Sequence, residues 1–287
     1  MTIPVSVVVM TRNEAANLPH CLPRLSRFAE IFVVDSDSED GTQALAAALG
    51  IPVVPFRWDG RYPKKKQWCL DRLPFAYDWV LFVDADERPT PALVEEIARL
   101  MARGPRHAAY FIAGRPVVAG RPLRFGAWNR KLALLDRRRA RFPEVRDLDV
   151  AAMGEVEGHY QPVVDGPVGA LRHPMDHADE KPPSAWFDRH NRYSDWEAAL
   201  RSDGRMAALI GRERGWRRMA KLCLHRTPCR PLVAFLHAYV ARLGMLDGRA
   251  GFDHAVARAF YYWQVGVKMR AAAGRPAVEQ AGPASRR

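Results

Sequence analysis

Three carboxylates follow an apolar run in the first third of the chain. Residues 79–83 are Trp-Val-Leu-Phe-Val, and Asp84, Asp86 and Glu87 come directly after them. A run of this length, bounded by turn residues, is typical of a buried strand. Open α/β sheets bind their ligands beyond the carboxyl ends of the strands. An Asp-x-Asp pair placed there suits Mg²⁺ or Mn²⁺ that also bridges a phosphate, although an acidic surface loop after a strand would show the same pattern.

The elements around this run alternate between strand and helix. Strands are predicted at residues 5–10, 31–35, 51–56 and 79–83, and helices between them at residues 15–28, 42–49 and 65–73. Alternation at these lengths predicts parallel strands joined by helical crossovers. Since parallel strands end at one edge of a sheet, Asp35 is expected to face the same crevice as Asp84 and Asp86.

The rest of the chain divides into three predicted parts. A helix at residues 91–103, strands at 108–118 and 130–135, and a helix at 185–200 complete a catalytic domain of residues 1–200. Residues 201–273 are predicted to form a basic, aromatic-rich helical appendage, with helices at 205–224, 232–246 and 252–269. Residues 274–287 have the composition of a disordered tail.

The composition excludes several classes of protein. The 287 residues are 48% hydrophobic and 26% charged, which is ordinary for a globular chain. No apolar stretch reaches the ~18–20 residues that span a bilayer, and the N-terminus lacks the basic segment of a signal peptide. The four cysteines lack zinc-type spacing, which predicts reduced thiols in a cytosolic protein.

The net charge of +12 is unevenly placed. Residues 201–249 contain eleven Lys/Arg and three Asp/Glu, a net charge of +8. Such a region attracts anionic lipid or nucleic acid, and a solvated basic face is the alternative. No zinc motif or helix-turn-helix favours nucleic acid, so we expect no nucleic-acid partner, and a non-enzymatic nucleic-acid binder is a distant alternative.

The basic stretch also has apolar periodicity. In residues 205–224, Trp216 and Met219 lie opposite an arginine-rich face. This pattern suits a helix in an anionic membrane interface, while a helical bundle or an oligomer interface would explain it equally. The predicted location is the cytoplasm, with peripheral binding to the inner face of the cytoplasmic membrane.

Four segments in order resemble a known family. Neither a dinucleotide-binding nor a P-loop glycine motif is present. Residues 8–14 (Val-Val-Met-Thr-Arg-Asn-Glu), 33–42, 66–70 and 83–87 (Val-Asp-Ala-Asp-Glu) are similar to family 2 glycosyltransferases of GT-A fold. The bacterial branch with the lipopolysaccharide-core β-glucosyltransferases is the most similar. The resemblance implies an α/β fold with a mostly parallel sheet flanked by helices.

The resemblance also implies a nucleotide-sugar pocket and a cation, Mg²⁺ or Mn²⁺. The implied roles are Thr11 and Glu14 in the pocket wall, Asp35 on the base, Lys66 near the nucleotide, Asp84 on ribose or metal, and Asp86 and His177 on the metal. The family's Asp-Ser-Gly-Ser-Thr-Asp-Gly is Asp-Ser-Asp-Ser-Glu-Asp-Gly here, so Asp37 replaces a glycine and Glu39 a threonine.

An inverting transfer to a hydroxyl needs a general base. Relatives supply it from a Val-His-Glu-like segment, which residues 154–161 match only loosely. Glu157 is the first candidate, and Glu155 and His159 are the alternatives. The predicted function is transfer of a sugar from a nucleoside-diphosphate sugar, with UDP expected, to a glycan or lipid-linked acceptor of the cell envelope. Transfer to polyprenyl phosphate, which needs no such base, is the alternative.

Overall fold

A computed structural model describes residues 2–150, 153–157, 160–206 and 229–274. Its strands β1 to β12 are Ile3–Thr11, Phe28–Asp35, Val53–Pro55, Trp79–Asp84, Glu87–Pro89, Ala109–Val118, Arg121–Pro122, Asn129–Asp136, Ala140–Arg141, Val163–Val164, Val168–Ala170 and Met175–His177. Its helices α1 to α7 are Leu18–Cys21, Thr42–Ala48, Lys65–Arg72, Pro91–Arg103, Pro183–Ser202, Arg230–Leu236 and Gly248–Ala273. Short 3₁₀ or π turns occupy Leu22–Leu25, His237–Ala241 and Gly244–Asp247.

A ten-stranded sheet forms the centre of the described part of the chain. Its order is β3-β2-β1-β4-β8-β6-β12-β5, with β7 and β11 also pairing with β6. The strands β3, β2, β1 and β4 are parallel, and β8 joins antiparallel to β4. The predicted α/β class, with a sheet flanked by helices and a C-terminal helical appendage, is confirmed.

The alternation along β1 explains why the sheet is covered on both faces. Val7 and Val9 are fully buried in one cluster with α1 and α4, while Val8 is buried on the opposite face with α3. A strand with both faces buried has a continuous apolar sequence, as residues 5–10 do. The strands that carry the carboxylates are therefore held rigidly in the middle of the fold.

Two predicted elements differ from the structure. The helix predicted at residues 15–28 is only one turn, Leu18–Cys21, followed by a 3₁₀ turn, and β2 already begins at Phe28. Pro19 and Pro23 interrupt the helical hydrogen bonding that the apolar spacing suggested. Residues 141–180, for which the sequence predicted no strand, contain β10, β11 and β12, and β12 pairs with β5 directly after the acidic residues.

Of the C-terminal helices, the one predicted at residues 252–269 is confirmed, and α7 extends it in both directions. The single helix predicted at 232–246 is wrong in its second half, because α6 ends at Leu236 and two irregular turns follow. The Tyr261 hydroxyl of α7 donates to Glu197 of α5 at 2.7 Å. Most of the predicted helix 205–224, with Trp216 and Met219, and almost all of the predicted tail lie outside the described residues. None of the described helices is both long and apolar enough to cross a membrane.

His254 makes the docking of α7 on the sheet domain sensitive to pH. Its Nε2 lies 3.5 Å from the Ala127 carbonyl oxygen. Burial, and then the nearby Arg258 guanidinium, lower the pKa of His254 to about 4, against a weaker pull from Asp247. The unfolded chain binds a proton at this histidine below pH ~6.5, whereas the folded chain resists it down to about 4, so stability is lost as the pH falls through that window.

We therefore expect the free energy of unfolding to fall by about 1–2 kcal/mol more in the native protein than in His254→Gln between pH 7.5 and pH 5. Urea titrations at the two pH values measure this difference. His20→Gln, at an exposed histidine, is the matched control and should keep the full native pH dependence. Identical pH dependence of the native protein and His254→Gln would contradict the assignment.

Candidate functional site

The ends of three parallel strands align in one row. In the register of the sheet, Thr11 of β1 is paired with Asp35 of β2, and Met10 of β1 is paired with Asp84 of β4. The expectation that these carboxylates share one edge of the sheet is thus met by the strand pairing itself. Asp35 is fully buried, whereas the Asp84 side chain is 40% exposed.

Asp35 accepts four hydrogen bonds within the protein. Oδ2 accepts from the hydroxyls of Thr11 at 2.7 Å and Ser38 at 2.5 Å, and Oδ1 accepts from the Ser38 amide at 2.9 Å and the Gln43 side chain at 2.8 Å. Burial opposes ionisation, but these donors together hold the pKa of Asp35 below its usual range. A carboxylate has about four lone-pair sites. Asp35 therefore orders the loop after β2, and a base that binds it must replace one of these donors.

The loop after β2 explains the departure at Asp37. Asp37 has φ 48°, in the left-handed region where glycine is favoured. Its side chain is 61% exposed and lies 3.3 Å from the Arg57 Nε. The glycine that the similar sequences carry here suits this backbone conformation. Asp37 adds an exposed negative charge to this loop.

Two lysines begin α3, and they play different parts. Lys65 is buried, and its Nζ donates to the Thr11 carbonyl at 2.9 Å and to the Ser36 hydroxyl at 2.6 Å. Burial lowers the pKa of Lys65, partly offset by Glu155. Lys66, which the resemblance placed near the nucleotide, has its ammonium 5.9 Å from the centre of the Phe142 ring. Lys65 was not singled out from the sequence, although the run of three lysines at residues 64–66 was a visible signal.

Lys131 neutralises the acidic turn after β4. Its Nζ lies 2.8 Å from Asp84 Oδ2 and 2.5 Å from Glu87 Oε2. Glu87 also accepts the Asp84 amide hydrogen at 2.9 Å. Burial raises the pKa of Asp84, but the Lys131 ammonium outweighs it and the net shift is downward. Lys131 comes from β8, so only the sheet pairing brings it to this turn, and the sequence offered no signal for it.

Asp86 is held by two cationic side chains from distant parts of the chain. Its Oδ2 lies 3.1 Å from His177 Nε2 and 3.4 Å from an Arg189 nitrogen. Burial alone would raise the pKa of Asp86, but His177 and Arg189 hold it far below its usual range. The Asp86 carboxylate in turn raises the pKa of His177 to about 9. The pairing of β12 with β5 explains why His177, a candidate ligand in sequence, arrives at this carboxylate.

The acidic turn fits a cation that is shared with a diphosphate. Within the described residues there is no group of three or more His, Cys, Asp or Glu that could enclose a metal ion by itself. Asp84 and Asp86 offer hard oxygen ligands at this edge of the sheet, and His177 offers an imidazole nitrogen in its deprotonated form. Mg²⁺ and similar ions are commonly held by one or two carboxylates, with phosphate oxygens and water completing the shell. The residues present therefore fit such an ion.

Glu14 belongs to a polar network on the other side of Asp86. It accepts hydrogen bonds from Asn17 at 2.7 Å and Lys181 at 2.6 Å. Asn17 also donates to Asp179, which pairs with Arg189 at 2.7 Å. Burial raises the pKa of Glu14 above its usual value despite the Lys181 ammonium. The network joins the loop after β1 to α5 and so fixes the position of Arg189.

Residues 155–157 cover the beginning of α3. The buried Glu157 carboxylate accepts the amide hydrogens of Lys66 and Gln67, each at 3.0 Å. The Glu155 carbonyl accepts from the Lys65 amide at 3.0 Å, and the Glu155 side chain is half-buried. Glu157 thus satisfies two free N–H groups of a helix terminus. His159 lies outside the described residues.

A cavity of about 780 Å³ lies next to the segment of residues 155–157 that covers the beginning of α3. Glu157, Lys64, Arg141 and Tyr160 are among its lining residues, whereas Asp35, Asp84 and Asp86 are absent from the lining. The cavity is therefore separate from the carboxylate row, and the edge of the sheet remains the place where the predicted donor-site residues meet.

Comparison with known sequences gives one family. Residues 6–149 match the family model described as glycosyl transferase family 2. The lipopolysaccharide core biosynthesis glycosyltransferase LpsC of Rhizobium meliloti (strain 1021) is 36% identical over 123 residues, covering 41% of this chain and 44% of LpsC. An uncharacterized glycosyltransferase of Rickettsia felis is 33% identical over 114 residues, 38% of each chain. These matches thus span less than half the length of either relative.

Two solved structures align with almost the whole chain at low identity. TarS residues 1–349 of S. aureus align at 14% identity with a TM-score of 0.43, covering 95% of this chain and 92% of that one. The mannosyltransferase PcManGT of Pyrobaculum calidifontis, in complex with GDP-Man and Mn²⁺, aligns at 15% identity with a TM-score of 0.46, covering 94% and 88%.

Proposed function

The chain belongs to glycosyltransferase family 2, and from that premise we propose that it transfers a sugar from a nucleoside-diphosphate sugar to a hydroxyl of a cell-envelope acceptor. The observation that carries the proposal is the row of Thr11, Asp35 and Asp84 at one edge of the sheet, with Asp86 beside it. The name of LpsC supports an envelope glycolipid or polysaccharide as the acceptor. The GT-A fold implied by the resemblance agrees with the observed sheet and flanking helices.

Different residues at this edge would bind different parts of the donor. Thr11, Glu14 and Asp35 would lie on the side of the nucleoside, with UDP as the expected nucleotide, and Lys66 would lie close to it. Asp84 and Asp86 would hold Mg²⁺ or Mn²⁺, with His177 as a further ligand. Such an ion, when bound, neutralises the diphosphate leaving group as a Lewis acid. Arg189, fixed by Asp179, adds a positive charge at the same corner.

We assign the general base first to Glu155. Glu157, the first candidate from sequence, is 3% exposed and accepts two α3 amide hydrogens, so it positions the helix that carries Lys65 and Lys66. Glu155 is more exposed and close enough to Lys65 to raise the pKa of that ammonium. An exposed carboxylate is better able than a buried one to meet an acceptor hydroxyl, which must be deprotonated for inverting transfer. His159 is the remaining alternative.

Paired substitutions separate these roles. Glu155→Gln is expected to lower kcat by about 10²–10⁴-fold, since a general base contributes that much, and to leave the melting temperature nearly unchanged. Glu157→Gln is expected to lower the free energy of unfolding by roughly 1 kcal/mol, because one of its two acceptor atoms becomes a donor, and to change kcat less than tenfold. Steady-state kinetics and urea unfolding of both variants measure this. The opposite pattern would restore Glu157 as the base.

Transfer to polyprenyl phosphate is a second candidate function. The observation in its favour is that the buried, helix-capping position of Glu157 leaves fewer described carboxylates free to deprotonate a hydroxyl. A phosphate acceptor is already anionic and needs no base. Full activity in Glu155→Gln, Glu157→Gln and His159→Ala would favour this acceptor over a sugar hydroxyl.

Donor binding gives the direct test of the proposed function. Melting temperatures are measured with UDP-, GDP- and dTDP-sugars, each with and without Mn²⁺. A ligand that binds only the folded state stabilises it by RT ln(1 + [L]/Kd), about 2.7 kcal/mol at 100 times Kd. We expect one class of nucleotide sugar to raise the melting temperature, and to raise it further with Mn²⁺. No shift with any donor at millimolar concentration would overturn the proposal.

A further inference from the structure

The outer side of α7 carries a stripe of exposed apolar residues. Phe252, Val256, Phe260 and Trp263 are exposed by 38–51%. They recur at intervals of four, four and three residues, which places them on one side of the helix. The fully buried Ala255 marks a different side, which packs on the rest of the protein. The stripe is therefore a solvent-facing apolar surface and not the edge of the core.

A second stripe runs along α6 and the turns that follow it. Leu232, Leu236 and Val240 are exposed by 47–57% at intervals of four residues. Met245 and Leu246, in the 3₁₀ turn before α7, are exposed by 44% and 59%. Exposing a row of leucine and methionine side chains to water is unfavourable, so this second stripe also requires an explanation.

Ring contacts link the elements that carry the two stripes. The Phe252 ring of α7 lies 6.0 Å from the half-buried Phe235 ring of α6 and 5.8 Å from the half-buried Tyr239 ring of the turn that follows α6. The Phe260 ring lies 6.4 Å from the ring of Phe187 on α5, which is itself 53% exposed. We call the two stripes together with Phe187 the outer apolar surface. Soluble monomers rarely expose contiguous apolar patches above a few hundred Å², and patches larger than that mark interaction sites.

Positive charge accompanies the outer apolar surface. Arg249, 84% exposed, lies with its guanidinium 5.9 Å from the centre of the Phe252 ring and pairs with Asp253 at 3.0 Å, and Arg242 is exposed in the turn after α6. Residues 207–228, which lead into α6, contain six Lys/Arg and one Glu in the sequence. Apolar aromatic residues flanked by arginine and lysine are the composition of surfaces that insert into an anionic bilayer interface. A partner copy of this chain would bring like charge against like charge.

We propose that the outer apolar surface docks this protein on a bilayer that contains anionic lipid. Its aromatic and leucine side chains enter the headgroup and acyl boundary, and Arg242 and Arg249 contact lipid phosphates. Helix α5 links this surface to the donor site, because Phe187 contacts Phe260 and Arg189 contacts Asp86. The link between this surface and the donor site, which rests on the proposed function, favours an acceptor that is held in the membrane.

Vesicle binding tests the proposal with the full chain. Co-sedimentation is measured with large unilamellar vesicles of phosphatidylcholine alone and with 30% phosphatidylglycerol. We expect binding to the anionic vesicles that weakens as salt rises, and at least about tenfold weaker binding to pure phosphatidylcholine. Leu236→Glu combined with Trp263→Glu should reduce the partition coefficient at least about tenfold. The matched control is Leu45→Glu combined with Leu49→Glu, on exposed leucines at α2, and should bind as the native protein does.

Three results would overturn the proposal. The first is that the native protein binds neither vesicle. The second is that the control variant loses binding as much as Leu236→Glu/Trp263→Glu does. The third is that the native protein binds no vesicle and forms a dimer in sedimentation velocity, which Leu236→Glu/Trp263→Glu converts to a monomer. Donor-induced thermal shift should be the same in the native protein and both double variants. Loss of vesicle binding with the donor shift intact removes only this proposal. Vesicle binding without any donor shift removes only the proposed function.

Discussion

Replacing Asp86 with asparagine is expected to reduce turnover by at least about 10³-fold while the protein stays folded. Asp86 provides the negative charge that both a divalent cation and the side chains of His177 and Arg189 require at this corner. An amide of the same shape binds a hard cation poorly, and the loss of several kcal/mol of leaving-group stabilisation corresponds to a rate effect of this size. The variant should also lose the extra thermal shift that Mn²⁺ produces with the donor.

Asp176→Asn is the matched control for this variant. Asp176 precedes His177 on β12 and pairs with Arg115 at 2.6 Å, away from the carboxylate row. Breaking that partly exposed ion pair is expected to cost at most about 1 kcal/mol of stability and to leave turnover within a few-fold of native. Equal activity of Asp86→Asn and the native enzyme would exclude Asp86 from the metal site. A loss of activity accompanied by unfolding in circular dichroism would show that Asp86 serves the fold.

Asp35→Asn is expected to give the largest loss of donor affinity together with a loss of stability. The Asp35 carboxylate accepts two hydroxyl and two N–H hydrogen bonds, and asparagine can accept on only one of its two terminal atoms. Its buried amide group would therefore face donors with another donor. We expect the free energy of unfolding to fall by roughly 2–4 kcal/mol and donor affinity to fall at least about tenfold.

Asp37→Asn provides the comparison within the same loop. Asp37 is exposed and its one ion pair, with Arg57, is open to solvent. Its substitution should change stability by less than about 0.5 kcal/mol. Urea unfolding and calorimetric titration of the donor on the two variants measure both effects. Native donor affinity in Asp35→Asn would mean that neither this carboxylate nor the loop it orders contributes to the nucleotide site.

The strands that end in carboxylates were predictable because their apolar runs are long and their ends are abrupt. Residues 31–35 and 79–84 have the continuous apolar sequence of buried strands, and parallel strands bring Asp35 and Asp84 to one edge of the sheet. The helix predicted at residues 15–28 was too long, because the apolar spacing of these residues fits a helix that two prolines interrupt. The strands β10, β11 and β12 were missed, since each is only two or three residues long and carries no periodicity.

The identity of the general base does not follow from the sequence. Glu155 and Glu157 are two residues apart, and no pattern in residues 154–161 distinguishes a catalytic carboxylate from a helix cap. The difference depends on where α3 begins in space, since its first free N–H groups take up the Glu157 carboxylate. The sequence likewise predicted helices at residues 232–246 and 252–269, but it does not say which of their apolar side chains are buried.

The sequence by itself determined the family, the α/β class and the row of Thr11, Asp35 and Asp84, because these follow from local patterns and from the rule that parallel strands end together. Tertiary structure alone decided the partners of those residues. Lys131 reaches Asp84 from a strand 47 positions away, and Arg189 reaches Asp86 from a helix more than 100 positions away. Charges that pair over such separations leave no periodic signal in the chain, since their meeting depends on how sheets and helices pack and not on their spacing along the sequence.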